Sequence, residues 1–272
     1  MKSKYFEGPR PRLFGHRGSS AEFPENTLPA FAHAVATGLP YLELDVRATK
    51  DGEVVVLHDE SLLRTCGVDV NVADLTLFEL QQYDAGATFT PDQGGNFPHR
   101  GLGIKVPTLA EVLLRFPGAL FINIEIKQES PAMEKTTLEV IRKAGMVDRV
   151  LLASENDAIM ARLRPLCEMQ HIPTSYSYAE LVSFFAWLQG GCLTSYHPPA
   201  AALQIPESYE GQTLITPQTI AAAHALNLEI HVWTINESAD MERLLRMGVD
   251  GVMSDRPGIL MATAGRIFPD HH

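Results

Sequence analysis

Five residues carry side chains suited to proton transfer and cation binding: His16 in Gly15-His-Arg-Gly18, Glu43 and Asp45 in Tyr41-Leu-Glu-Leu-Asp-Val-Arg47, His58 in Val54-Val-Val-Leu-His-Asp59, and Glu125 in Ile122-Asn-Ile-Glu-Ile-Lys127. In the 41–47 stretch, Leu42, Leu44 and Val46 alternate with Glu43, Asp45 and Arg47. The two-residue period of a strand puts that polar set on one face. The 122–127 stretch repeats the device, with Ile122, Ile124 and Ile126 on one side and Asn123, Glu125 and Lys127 on the other. Burying carboxylates together is unfavourable without compensating positive charge, and a hard divalent cation with oxygen ligands, Mg²⁺ or Ca²⁺, supplies it. The competing reading is an interior salt network of the same acids with Arg47 and Lys127. Spacing leaves both open.

Histidine titrates near neutral pH, so one imidazole can accept a proton while another donates one. A lone histidine is usually structural; His16 and His58, paired at predicted strand ends beside a carboxylate cluster, favour catalysis. Arg17 and Lys127 add cations. A guanidinium grips two oxygens of a phosphate and offsets charge in a transition state, so the set suits a phosphoryl centre, and ion pairing of these cations with the acids is compatible with that role.

Short apolar runs alternate with stretches of 3.6-residue periodicity, the pattern of repeated βα units around a parallel sheet. Strands are predicted at Leu13–Gly18, Tyr41–Thr49, Ala119–Lys127, Arg149–Glu155, Ile172–Tyr178, Leu193–Tyr196, Leu228–Asn236 and Gly251–Asp255. Helices are predicted at Leu28–Thr37, Leu109–Phe116, Ala132–Ala144, Ala158–Cys167, Ala179–Leu188, Pro217–Leu226 and Ala239–Met247. Asn26 or Thr27 caps the first helix, and Gly38, Gly145 and Gly248 stand where left-handed C-terminal residues are wanted. Residues 59–107 break the rhythm, with one clear helix near Leu75–Tyr83. They read as an insertion in the second βα connection, placed to overhang a site at the strand C-termini.

At 272 residues the chain has the length of one α/β barrel domain. Its net charge of −11 gives no field that favours nucleic acid or an anionic membrane. Cys66, Cys167 and Cys192 are too widely spaced for a C-x-x-C pair and read as buried free thiols. The first residues lack a signal-peptide apolar core, and no run of roughly 18 apolar residues occurs. The expectation is a soluble cytoplasmic protein with no stable membrane association. Nothing in the sequence speaks to oligomeric state.

His16-Arg-Gly18, Glu25-Asn-Thr27, Glu43-Leu-Asp45, Thr49-Lys-Asp-Gly52, His58-Asp59, Leu63-Arg-Thr65, Pro107-Thr-Leu109, Glu125-Ile-Lys127, Trp233-Thr-Ile-Asn236 and Gly248-Val-Asp-Gly251 follow one another in the order found in glycerophosphodiester phosphodiesterases, which the chain resembles from residue 13 to about 258. The resemblance implies a (β/α)8 TIM barrel with a small inserted segment. It also implies one divalent cation held by Glu43, Asp45 and Glu125, His16 and His58 as the acid–base pair, and Arg17, Lys127 and Trp233 as substrate contacts. The implied reaction splits a small phosphodiester such as glycerophosphocholine into glycerol 3-phosphate and an alcohol, with the substrate's own glycerol hydroxyl as a candidate first attacker. One departure is conservative: Ser254-Asp255 stands where Thr-Asp is common.

Other residues read more plainly. His231 is expected as a packed core histidine one layer below Trp233, and His99 and His197 as surface or lid residues. Asp59 either orients His58 or caps the next turn. Capping is the default for Glu25-Asn-Thr27, with hydrogen bonds that support the site as the alternative. Phe184, Phe185 and Trp187 read as core packing. The alternative functions are lysophospholipase D-type hydrolysis of lipid headgroups by the same site and, in a different class, a non-catalytic metal- or phosphate-binding barrel.

Overall fold

Period-two alternation becomes a curled parallel sheet in the computed structural model of the protein, which describes residues 3–116, 120–191 and 195–269. In chain order the strands are β1 (Arg12–His16), β2 (Tyr41–Ala48), β3 (Val54–Val56), β4 (Phe121–Ile126), β5 (Val150–Ala153), β6 (Ala202–Pro206), β7 (Ser208–Tyr209), β8 (Gln212–Thr213), β9 (Glu229–Trp233) and β10 (Gly251–Ser254). Seven run parallel in the order β5-β4-β2-β1-β10-β9-β6, β3 folds back antiparallel on β2, and β7 and β8 form a small hairpin. Parallel bridges Leu152↔Thr174 and Ser175↔Ala202 link the two outer strands.

Those bridges are all that forms of the strand expected at Ile172–Tyr178. Pro173 has no N–H to give the ladder, although its carbonyl still accepts from Leu152 N at 3.0 Å. The strand expected near Leu193–Tyr196 falls partly outside the described residues, at Leu193 and Thr194. The described residues just beyond form no strand, and the next ladder is taken by Ala202–Pro206. There Leu203 and Ile205 join the core, and Gln204 points to the other face.

The helices are α1 (Leu28–Ala36), α2 (Leu63–Cys66), α3 (Leu77–Leu80), α4 (Leu109–Arg115), α5 (Glu134–Lys143), α6 (Asp157–Glu168), α7 (Tyr178–Gln189), α8 (Pro217–Ala225), α9 (Ser238–Met247) and α10 (Pro257–Ile267). The seven predicted helices form within a few residues of their expected bounds, and neither α2 nor α10 was anticipated. Thr27 caps α1, and left-handed Gly248 ends α9. Apolar outer faces of the strands, Ile122, Ile124 and Ile126 among them, pack against the helices in one large core that includes buried Phe184 and Cys167. Cys66 is buried as well, and Cys192 lies outside the described residues.

Inside the curl, a lower layer brings Phe14, Tyr41 and Phe121 together in register. Beside them Arg12, wholly buried, bonds Glu229 at 2.5 Å through Nε. His231 reaches Glu229 at 3.1 Å and Gln204 at 3.2 Å, and Gln204 reaches Asn123 at 3.0 Å. His231 is therefore the hydrogen-bonded core histidine expected of it. A buried charge unpaired here would be costly, so the chain of partners is what makes Arg12 tolerable.

Residues 57–107 carry α2 and α3 and close over their own apolar cluster, which includes Leu57, Leu62, Val72, Leu80 and Val106. The segment is tied back where Lys50 N donates to Leu75 O at 2.8 Å and where Phe23 packs against His99 with ring centroids 5.1 Å apart.

Candidate active site

Register assembles the site. His16 pairs with Glu43 across β1 and β2, Glu43 with Asn123 and Asp45 with Glu125 across β2 and β4. Inward residues of parallel neighbours stack side by side, so His16 and Glu43 share one level and Asp45 and Glu125 the next. Carboxylate oxygens of Glu43, Asp45 and Glu125 all lie within 4.8 Å of one another.

The loop after β1 delivers Arg17. Its backbone is left-handed, at φ 52°, and Gly18 follows at φ 87°, where a Cβ would lie 2.7 Å from the Ala30 carbonyl carbon. Such strain persists where the surroundings over-determine it, and here Arg17 N donates to Glu43 at 3.0 Å while its carbonyl accepts from Asn26 N at 3.0 Å. The guanidinium donates to Glu25 at 3.0 Å and sets Nε 3.2 Å from Asp45. Asn26, also left-handed at φ 56°, donates its amide to Asp45 at 2.9 Å. Capping belongs to Thr27 alone; Asn26 holds a carboxylate of the site.

Lys127 Nζ lies 2.6 Å from Glu125 and 3.6 Å from Asp45. Arg47, expected as a possible partner of the acids, instead donates to the His58 carbonyl at 2.9 Å. Burial, reinforced by the Asp45 charge, pushes the Glu43 carboxyl well above the usual range. Burial also raises Glu125, with Lys127 opposing it. For Asp45 burial acts the same way, but Arg17 and Lys127 outweigh it and hold the group ionised below its ordinary value.

Each histidine is anchored through Nδ1 by a carboxylate: His16 by Asp255 and His58 by Asp59, both at 2.7 Å. Accepting at Nδ1–H fixes the tautomer and leaves Nε2 for chemistry. Asp255 also accepts from Ser20 and from Asn236, each at 2.7 Å. Although burial would raise it, the His16 bond holds Asp255 at about 2. Burial lowers both imidazoles; for His16, Asp255 and Glu43 reverse the effect, whereas His58 stays below its ordinary value. Asp59 thus orients His58, and its second oxygen takes Arg64 Nε at 2.6 Å.

A divalent cation fits the residues present. Two buried polar atoms, Glu125 Oε1 and Arg17 Nε, are left without a well-formed hydrogen bond and are met by ion pairs with Lys127 at 2.6 Å and Asp45 at 3.2 Å. Three acids against two cations leave negative charge over, and every donor is a hard oxygen. Trp233, half-buried at the end of β9, packs against the layer containing Phe14 and Leu151. Asp255 and Arg64 have no site role in the sequence reading, and Asn26 has one only as the alternative to capping. All three stand inside or beside the quoted motifs, but their partners are remote in sequence.

The family model described as the glycerophosphoryl diester phosphodiesterase family matches residues 16–259. The glycerophosphodiester phosphodiesterase of Caldanaerobacter subterraneus subsp. tengcongensis is 31% identical over 253 residues, 92% of this chain and 96% of that protein. Lysophospholipase D GDPD1 of Mus musculus is 30% identical over 267 residues, 90% of this chain and 83% of that protein. A solved Oleispira antarctica phosphodiesterase, in complex with its product sn-glycerol-3-phosphate, superposes with a TM-score of 0.78 at 25% identity, covering 97% of this chain and 99% of the other.

Proposed function

The chain belongs to the glycerophosphoryl diester phosphodiesterase family, and from that premise we propose that it hydrolyses glycerophosphodiesters, such as glycerophosphocholine or glycerophosphoethanolamine, to glycerol 3-phosphate and an alcohol. The observation that carries the reading is the clustering of three acids within 4.8 Å of one another, with the cations Arg17 and Lys127 against them and two carboxylate-anchored histidines nearby. The protein acts as one domain, a (β/α)8 barrel closed through residues 174–175, with 59–107 as an insertion over the strand C-termini.

Arg17 and Lys127 grip the phosphoryl oxygens, and Trp233 lies against the substrate. His16 and His58 move the protons. One takes the proton of the attacking hydroxyl as its oxygen bonds phosphorus; the other gives a proton to the departing alkoxide as the second P–O bond breaks. With the substrate's glycerol hydroxyl as attacker a cyclic phosphate forms first, and water opens it with the histidine roles exchanged. Glu43, Asp45 and Glu125 would hold one Mg²⁺ or Ca²⁺, which when bound neutralises charge developing on the phosphoryl group.

Purified protein is assayed against glycerophosphocholine with Mg²⁺, with Ca²⁺ and with EDTA. Cation-dependent release of choline is expected. Undiminished turnover in EDTA sinks the metal assignment, and no turnover with any cation sinks the activity. The similarity to the mouse protein named lysophospholipase D supports a second reading, tested with lysophosphatidylcholine in the same assay: higher kcat/KM on the lipid would favour it.

A further inference from the structure

Arg64 lies in the 57–107 segment, on α2, away from the acids, and takes no part in the mechanism above. Its guanidinium nevertheless uses every nitrogen. Nε donates to Asp59 at 2.6 Å, and the two terminal nitrogens donate to Glu25 at 2.5 and 2.7 Å. Each acid also reaches the site: Asp59 holds His58 at 2.7 Å through its other oxygen, and Glu25 accepts from Arg17 at 3.0 Å on Oε1, the oxygen that also takes one Arg64 nitrogen. The segment grips Arg64 in turn, because Thr88 Oγ1 donates to the Arg64 carbonyl at 2.5 Å and to that of Thr65 at 2.9 Å.

We propose that Arg64 is a positioning residue that fixes His58 through Asp59 and Arg17 through Glu25, and so sets proton transfer and phosphate binding from a single side chain. The proposal rests on the function proposed above. The Arg64 side chain is 48% exposed, and exposed ion pairs contribute little to stability. Geometry is what the arrangement supplies. A planar fork reaches two carboxylates at once and pins both, whereas an ammonium is one point charge on a flexible stem. Without the fork, Glu25 is free to swing with Arg17, and Asp59 keeps one fewer restraint on the imidazole it orients.

The test is steady-state kinetics of the full chain on glycerophosphocholine for the wild type, Arg64→Lys, Arg64→Gln, Asp59→Asn, Glu25→Gln and the paired variants, with Tm recorded for each. Arg64→Lys should melt with the wild type yet lose about tenfold or more in kcat and raise KM severalfold, the scale of a small misplacement of reacting groups. Arg64→Gln should behave alike. In the Asp59→Asn background the kcat effect of Arg64→Lys should vanish, and in the Glu25→Gln background its KM effect should vanish, because coupled residues do not add. Wild-type constants in folded Arg64→Lys or Arg64→Gln, or losses that add fully to those of Asp59→Asn and Glu25→Gln, overturn the positioning role alone. A wild type with no turnover overturns the function on which it rests.

Discussion

His16 Nδ1 and Asp255 Oδ1, 239 positions apart in the chain, share a hydrogen bond of 2.7 Å. Parallel pairing of β1 with β10 makes it: Gly15 sits opposite Ser254, so the residues that follow each strand emerge together. Asp255→Asn keeps the shape but can present its amide to Nδ1 and favour the wrong tautomer. A loss of about 100-fold in kcat is expected, the lower end of what a positioned proton-transfer group contributes, with KM little changed. An unchanged kcat would remove Asp255 from the site.

Replacing the histidines tests the proton transfers themselves. His16→Ala and His58→Ala should each lose about 10³-fold in kcat/KM. Neither ring belongs to the apolar core, so circular dichroism and Tm should stay close to wild type. Wild-type turnover by either variant would refute its role.

Gly18 is a backbone requirement. At φ 87° with the Ala30 carbonyl carbon 2.7 Å from where a Cβ would be, alanine is both strained and blocked. Gly18→Ala should cost about 3 kcal/mol and lower Tm by about 6–12 °C. Because Gly18 shapes the turn that aims Arg17, activity measured well below the melting range should fall as well. A variant as stable and active as wild type contradicts the close approach.

Below the site, Glu229 gives the fold an acid limit. Burial alone would raise its carboxyl, but Arg12 and His231 hold it at about 2 against an ordinary 4.5. A folded value below the unfolded one contributes stability that is full above about pH 4.5 and is lost as pH falls toward 2. The span is worth about 3 kcal/mol. Urea unfolding from pH 6 down to about 2.5 should show this loss. Glu229→Gln should cost about 3–5 kcal/mol at neutral pH by leaving buried Arg12 uncompensated, and should flatten the acid slope. A slope of wild-type size in the variant would locate the acid limit elsewhere.

What could be read in advance follows from the range of the interaction. Leu42, Leu44 and Val46 alternate with Glu43 and Asp45 within seven residues, so the inward face of β2 is visible from the chain alone, and helix periods are equally local. The partnership of Asp255 with His16 arises only when the last strand docks on the first. The bridging position of Arg64 depends on how 57–107 folds over its own cluster, and no local period encodes that. Asn26 invited a capping role because Asn is a common cap; its left-handed backbone, with the amide turned to Asp45, is set by the Arg17 turn. Ala202–Pro206 lacks the β-branched run that marks a strand, and α10 is rich in Ala and Gly with weak amphipathic contrast.

The pairing of β1 with β10 also bears on biosynthesis. His16 precedes Asp255 by 239 positions, so a ribosome-bound chain that has exposed residues 12 through α9 carries Glu43, Asp45, Glu125, Arg17 and both imidazoles while His16 still lacks its partner. On the proposed mechanism, appearance of activity therefore times the docking of β10 on β1. A nascent chain stalled there would hold the proposed cation ligands while one of its two proposed proton carriers stayed unaligned.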